Sequence, residues 1–294
     1  MGALTEAFVE GDSALAAGLR ERCTTSHWDP MLGSQEALDC KLERSAYVGR
    51  VIEADGARVL DFGSGMGFLA CYLAAHGARE VVGVEVLDEH RQASAYLAES
   101  VFRAPNARFV KTTDELEEGS FDAVVLANVV SHVYDPCRVL VRLADLLAPG
   151  GRLFVEDNNN LSSPIVRRRL PGMWAREEAN YREKRVAELG RRAADAYGLS
   201  FEQTRFWADR GLSRVAGLRR HAPLDPDYLI YHENAFRPDE LVTIVFNCGL
   251  AVQWVRPKSV FDFKRNSVVS RLFERFPRLG LHVAPAFEIL SVKR

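Results

Sequence analysis

A strand that runs directly into a glycine-rich turn constrains this chain more than any other feature of its sequence. Residues 59–62 are strand-forming and contain Asp61, and the turn that follows has Gly63, Gly65 and Gly67 at alternate positions. Glycine has no Cβ and adopts positive φ at little cost, so such a backbone turns tightly and comes close to a ligand. A helix that begins near Gly67 directs its free N–H groups to the carboxyl edge of a sheet, where doubly wound folds bind ligands. The turn therefore predicts an α/β fold with a ligand site at that edge.

The rest of the chain continues this pattern. Short apolar, β-rich runs alternate with stretches of helical length from residue 57 onward. Strands this apolar, separated by helices, indicate a parallel sheet covered on both faces, with right-handed connections. The predicted strands are 58–62, 80–86, 107–111, 123–127, 152–156, 251–255 and 286–292.

Four segments differ in their patterning and predict the organisation of the chain. We expect an N-terminal helical cap over residues 1–56, a core over 57–160, a helical lid or acceptor insertion over 161–235, and the C-terminal part of the core over 236–294. Apolar residues at a spacing of three to four predict the helices. These helices are 3–23, 35–54, 174–197, 201–218 and 237–248.

Composition argues against several classes of protein. The net charge of -2 disfavours a general nucleic-acid binder, which needs a basic excess to displace counterions from phosphates. No apolar run is long enough to span a bilayer, and the first 20 residues lack the apolar stretch of a secretion signal. The five cysteines are odd in number and lack C-x-x-C spacing, which disfavours disulfides and a zinc site. We expect a cytoplasmic protein with reduced thiols and no metal.

Polar side chains stand where three successive predicted strands end. Glu85 ends the second strand, Asp114 follows the third and Asn128 follows the fourth. A carboxylate in the place of Glu85 can accept both hydroxyls of an adenosine ribose. A nicotinamide-dependent reductase shares these features, but its fingerprint is Gly-x-Gly-x-x-Gly, and here the third glycine comes one position early.

This order of motifs resembles the class I S-adenosylmethionine-dependent methyltransferases, and more closely the group typified by the ubiquinone-biosynthesis methyltransferases. The resemblance covers about residues 57–160 well and residues 235–292 more loosely. It includes the turn Pro149-Gly150-Gly151 before the fifth strand. It implies a doubly wound, seven-stranded, mostly parallel Rossmann-like sheet with an antiparallel last strand, and S-adenosylmethionine as the cofactor.

The segment after the fourth strand matches the family in part. His132 and the pair Asp135-Pro136 match, whereas Asn128 and Ser131 stand where the family often has Glu. The neutral Asn128 would attract the sulfonium less strongly than a carboxylate.

The resemblance also implies roles for individual residues. Asp61, Gly63 and Gly65 would surround the methionine end of the cofactor, Glu85 would hold the ribose, and Asp114 would accept the adenine amine. The stretch before Asp114 is one residue longer than usual, so Thr112 and Thr113 are alternatives for the adenine contact. The further predicted cofactor contacts are Ser64, Gly67, Phe68, Val86 and Asn128.

Methyl transfer to a hydroxyl oxygen needs a base that removes the proton, whereas transfer to a neutral amine depends less on a base. His132, His232 and Asp157 are the candidates for that base. The alternatives are a structural hydrogen bond for His132, a satisfied loop histidine at 232, and a turn built by residues 157–160.

The acceptor is predicted only by class. We favour a small-molecule hydroxyl, as in a natural product or a sugar; the alternatives are a small amine, or a catalytically silent partner subunit with this fold. The Arg-rich stretch 167–185 would attract an anionic acceptor, or would form a solvated helix face.

Overall fold

The computed structural model describes residues 18, 21–22, 35–133, 136–169, 224–225, 230–231, 235–258, 273 and 275–294. The predicted helices 174–197 and 201–218 lie outside the described residues, as do His232 and Asp135. The same holds for the predicted helix 3–23, apart from residues 18, 21 and 22.

Strands and helices alternate along the described chain as the apolar pattern predicts. The strands are β1 (Arg58–Phe62), β2 (Glu80–Val84), β3 (Ala107–Val110), β4 (Phe121–Ala127), β5 (Leu147–Asp157), β6 (Leu224–Asp225), β7 (Ile230–Tyr231), β8 (Leu250–Lys258) and β9 (Ala286–Lys293). The helices are α1 (Gln35–Val51), α2 (Phe68–Ala75), α3 (Asp88–Tyr96), α4 (Pro136–Leu146), α5 (Pro238–Asn247) and α6 (Pro277–Val283). A π-helical turn, Leu97–Phe102, extends α3, and Val130–His132 form a 3-10 turn.

Seven strands form one sheet in the order β3-β2-β1-β4-β5-β9-β8. β1 pairs parallel with β2, and β2 pairs parallel with β3. β9 pairs antiparallel with both β5 and β8. The predicted doubly wound sheet with an antiparallel last strand is therefore confirmed.

β5 begins earlier than the sequence pattern predicts, so the predicted turn Pro149–Gly151 lies inside the strand. A Cβ on Gly151 would come within 2.8 Å of the Ala148 carbonyl oxygen and 3.1 Å of the Phe121 carbonyl oxygen. Glycine is needed at this position because two backbone segments approach it so closely. The pair β6–β7, which joins Leu224 to Tyr231, was not predicted either.

The chain divides into two compact units. The first consists of Met1–Val125 with Leu146–Gly151, and the second of Leu126–Asp145 with Arg152–Arg294. Each has fully buried apolar side chains in its strands: Val59, Leu60, Val81 and Val82 in the first, and Phe154, Phe287 and Ile289 in the second. The four-part organisation suggested by the sequence stays a prediction.

No helix among the described residues is long and apolar enough to cross a membrane.

Ser291 of β9 is the basis of a stability prediction. It is fully buried, and its hydroxyl has no hydrogen-bond partner among the described residues. A buried hydroxyl without a partner costs about 1–3 kcal/mol, so Ser291→Ala should raise the free energy of unfolding by roughly 1 kcal/mol. Ser163→Ala is the matched control, because Ser163 is equally buried but donates to the Val283 carbonyl at 2.7 Å. Urea titration should show opposite signs for the two variants; a loss of stability in both would contradict the prediction.

Candidate functional site

The glycine turn of the first unit has left-handed backbone at all three glycines. The φ angles of Gly63, Gly65 and Gly67 are 72°, 54° and 72°. The N–H groups of Gly63 and Ser64 both donate to the Val84 carbonyl, at 2.9 and 3.0 Å. These bonds tie the turn after β1 to the end of β2. Left-handed backbone explains why glycine occupies each alternate position.

The glycines differ in what surrounds them. A Cβ on Gly67 would lie 2.6 Å from the Cβ of Ser94 and 2.8 Å from the ring of Phe109. A Cβ on Gly65 would meet no described atom within 4 Å. Gly67 is therefore needed for packing within the unit, whereas the described residues leave open space beside Gly65, as expected of a residue that faces a ligand.

Glu85 links the glycine turn to the beginning of α3. Its side chain is almost fully buried, with 7% of the residue exposed. Gly65 N–H donates to Oε2 at 2.9 Å, and Leu87 N–H donates to Oε1 at 3.0 Å. Nδ1 of the buried His90 lies 3.8 Å from Oε2. A carboxylate has about four lone-pair positions, so these two bonds leave acceptor capacity for ligand hydroxyls.

Asp61, at the end of β1, is a buried carboxyl group with 3% of the residue exposed. Burial raises its pKa to about 7. The positive charge of Arg44 and a hydrogen bond from the Ala70 backbone lower the pKa, while the negative charge of Glu85 raises it further. Two carboxylates and one guanidinium thus influence the same part of the glycine turn.

Arg44 belongs to α1, and sequence reasoning did not single it out. α1 packs against α2, which begins at the end of the glycine turn. Lys41, one helical turn before Arg44, places its Nζ 5.8 Å from the centre of the Phe68 ring. The only signal in the sequence was the spacing of three between the two cations, which ordinary surface residues share. Only the packing of α1 on α2 distinguishes them.

Two other residues of this unit that were predicted to contact the cofactor, Ser64 and Phe68, have side chains that lie in its interior. The Ser64 hydroxyl is buried without a hydrogen-bond partner among the described residues, and it lies beside Gly83 and Phe109. Phe68 is nearly buried and packs edge-on against Phe102, with ring centres 5.3 Å apart. The Ser64 hydroxyl therefore lies in the interior, and the N–H and carbonyl of Ser64 are hydrogen-bonded to Val84 and Gly67 within the unit.

The predicted adenine and ribose neighbours are more exposed. Val86 is half-buried directly after Glu85. Asp114 is exposed, and its backbone N–H donates to Thr112 Oγ1 at 3.3 Å. Thr113 is half-buried. The structure thus leaves Asp114, Thr112 and Thr113 open as alternatives for the adenine contact.

In the second unit, Asn128 follows β4 with left-handed backbone. Its φ is 59°, and its N–H donates to the Glu156 carbonyl at 2.8 Å. The side-chain Oδ1 is buried and has no hydrogen-bond partner among the described residues. Positive φ is uncommon for a residue other than glycine, although Asn tolerates it better than most. The strand end thus presents a buried acceptor atom.

Asp157, at the end of β5, is fully buried and bound on both oxygens. Oδ2 accepts a hydrogen bond from Ser131 N–H at 3.0 Å, and Oδ1 accepts one from Asn159 N–H at 2.8 Å. Burial raises its pKa to about 6, although these hydrogen bonds oppose the shift. The bond from Ser131 anchors the 3-10 turn that ends at the half-buried His132. This geometry favours a positioning role for Asp157 over the role of base.

Asn160 builds the turn after β5. Its Nδ2 donates to the carbonyls of Leu281 and Ala284, at 2.7 and 2.8 Å, and its Oδ1 accepts from Ser162 N–H at 3.0 Å. Its side-chain hydrogen bonds are therefore used within the protein.

The described residues contain no group of three His, Cys, Asp or Glu side chains that could hold a metal ion.

Comparison with known sequences gives one family. The family model of a methyltransferase domain matches residues 35–204, more than half of the chain. The ubiquinone biosynthesis O-methyltransferase of Xylella fastidiosa (strain M23) is 36% identical over 140 residues, which are 46% of this chain and 56% of that protein. The protein of the same name from Xanthomonas axonopodis pv. citri is 36% identical over 120 residues, 40% of this chain and 49% of that protein. The chain spans about half the length of the curated relatives it matches.

Solved structures share the fold. A crystal structure of an S-adenosylmethionine-dependent methyltransferase from Methanosarcina mazei superposes with a TM-score of 0.50 at 19% identity, and covers 84% of this chain and 96% of that one.

Proposed function

The chain belongs to the methyltransferase-domain family of S-adenosylmethionine-dependent enzymes, and we propose that it methylates a hydroxyl group of a small molecule. The curated relatives that support oxygen as the acceptor atom are O-methyltransferases by name. On the basis of the sequence, we favour the hydroxyl of a natural product or a sugar as the methyl acceptor.

The glycine turn is the observation that carries the proposal. Gly65 borders open space, and the Glu85 carboxylate is held at the same turn with acceptor capacity left over. We assign the methionine end of S-adenosylmethionine to Asp61, Gly63 and Gly65, and its ribose to Glu85. Neither assignment needs the Ser64 hydroxyl.

The chemistry is an in-line displacement. When bound, S-adenosylmethionine supplies a methyl group on a positively charged sulfur, and the acceptor oxygen forms the new bond to carbon as the carbon–sulfur bond breaks. The protein holds the reactants in line and keeps water out. A base removes the hydroxyl proton, and we assign this step to His132. Asp157 holds the turn that carries His132, through its bond to Ser131 N–H.

Calorimetry tests the cofactor first. The purified protein should bind S-adenosylmethionine and S-adenosylhomocysteine with micromolar affinity and should not bind NADH. Binding of NADH alone would reject the proposal, and absence of all three would favour a silent scaffold. Methyl transfer to hydroxyl acceptors should then exceed transfer to the matching amines; the reverse result would identify an N-methyltransferase.

His132→Ala tests the base. Loss of a general base costs about 10²–10⁴ in rate, so turnover should fall by roughly that factor while the dissociation constant of S-adenosylhomocysteine stays unchanged. His76→Ala is the control, because His76 is exposed at the end of α2 and stacks on Tyr72. Full turnover in His132→Ala would remove this role and leave His232 as the candidate.

A further inference from the structure

Two cations of α1 lie beside the end of the glycine turn. Lys41 and Arg44 are one helical turn apart, and Lys41 Nζ stands above the ring of Phe68, the residue that directly follows Gly67. The acidic residues of the same helix, Glu36, Asp39 and Glu43, are exposed, whereas Lys41 and Arg44 are half-buried. Lys41 and Arg44 are therefore the half-buried charges of α1, whereas its acidic residues and Arg50 are exposed to solvent.

Lys41 has no compensating anion among the described residues. No described carboxylate lies within ion-pair distance of its Nζ, and its recorded neighbours are the Phe68 ring and the like-charged Arg44. Burial and the charge of Arg44 lower its pKa to about 8. A half-buried ammonium next to a second cation is unfavourable unless an anion joins it.

The beginning of α2 reinforces the positive potential. Gly67 caps this helix without any side-chain hydrogen bond. The first turn of a helix carries partial positive charge; α2 has no acidic residue there, and the Ala70 N–H of this turn is hydrogen-bonded to Asp61. Lys41, Arg44 and the helix end therefore favour the same kind of ligand group, a carboxylate.

We infer that Lys41 is a second anchoring cation for the carboxylate of the methionine part of S-adenosylmethionine. The inference rests on the proposed function, which assigns that end of the cofactor to the glycine turn. The carboxylate is the anionic group of this molecule, and two cations one turn apart on a helix can reach it together. Lys41 thus contributes to affinity for the amino-acid portion and makes no contribution to affinity for the nucleoside.

The charge of Lys41 also makes the affinity depend on pH. Arg44, on the same helix, is the charged group that acts on Lys41; Asp61 of β1 is coupled to Arg44 and Glu85, and Cys71 of α2 is coupled to Asp61. Burial raises the pKa of Cys71, so that thiol stays neutral. Binding of a carboxylate favours protonated Lys41, so affinity is greatest well below pH 8 and declines as the pH rises through that value.

The test compares two ligands on three proteins. S-adenosylhomocysteine carries the carboxylate, whereas 5′-methylthioadenosine keeps the nucleoside and lacks the amino-acid portion. We expect Lys41→Gln to weaken S-adenosylhomocysteine binding about tenfold and to leave 5′-methylthioadenosine binding unchanged. Lys41→Arg should restore the affinity. Calorimetry between about pH 7 and 9 should show that the ratio of wild-type to Lys41→Arg affinity falls as the pH rises, because lysine loses its charge over this range and arginine stays charged.

Each result that contradicts these expectations leads to a different conclusion. Unchanged S-adenosylhomocysteine affinity in Lys41→Gln, or an equal loss for both ligands, would overturn the inference while the proposed function stands. An unchanged affinity together with a raised acceptor KM would overturn it in favour of acceptor binding. Failure of the wild-type protein to bind S-adenosylhomocysteine would instead reject the proposed function itself.

Discussion

Gly65→Asn is expected to weaken S-adenosylhomocysteine binding at least about 100-fold while the protein stays folded. Asn tolerates the left-handed backbone that Gly65 adopts, and a side chain there meets no described atom. The cost in stability should therefore be no more than about 1 kcal/mol. The new side chain would fill the open space that we assign to the methionine end of the cofactor. Calorimetry measures the affinity, and thermal unfolding checks the fold.

Gly67→Asn is the matched variant, because Gly67 also has a positive φ but is densely surrounded. Its Cβ would collide with Ser94 and Phe109, so we expect a large loss of stability in addition to lost binding. If Gly65→Asn bound S-adenosylhomocysteine with wild-type affinity, the ligand would not approach this turn. If both variants unfolded alike, the distinction between the two glycines would be wrong.

Asp61→Asn is expected to make the protein more stable at pH 8 and to weaken its binding of S-adenosylmethionine. Burial raises the pKa of Asp61 to about 7, whereas this carboxyl group ionises near 3.8 in the unfolded, solvated chain. Between these values the unfolded state loses its proton more readily, so wild-type stability declines as pH rises from about 4 to about 7. The neutral amide avoids that cost and should stabilise the protein by about 2–4 kcal/mol above pH 7.

Urea titrations at pH 5, 6, 7 and 8 would measure this difference. The gain of Asp61→Asn over wild type should increase with pH and level off above about pH 7. Asp39→Asn, an exposed position on α1, is the control and should show no such trend. A gain that does not change with pH would contradict the assigned ionisation. A carboxylate that reduces stability is often retained for function, so we expect Asp61→Asn to lose affinity. If Asp61→Asn bound S-adenosylmethionine with wild-type affinity, the charge of Asp61 would not be used in binding.

Much of the fold could be predicted because its determinants are local. β1 has the predicted bounds, since an apolar run followed by a glycine turn defines both of its ends. The start of β5 could not be predicted, because the strand extends through Pro149–Gly151, where Gly151 lies close to the carbonyl of Phe121, a residue distant in sequence. The short pair β6–β7 has two residues in each strand, too few for any periodicity.

The sequence by itself determined the glycine turn, the carboxylates at the strand ends and the family to which these features point. Each of these depends on residue type and spacing over a few positions, where backbone angles and strand ends are set. The tertiary structure alone decided which atoms remain available to a ligand. Packing closes the space at Gly67 and leaves it open at Gly65, backbone N–H groups occupy both oxygens of Asp157, and α1 brings Lys41 to the end of the turn. Apart from the bond between Asn159 and Asp157, these differences come from contacts between segments distant in sequence, which the spacing of residues along the chain does not reveal.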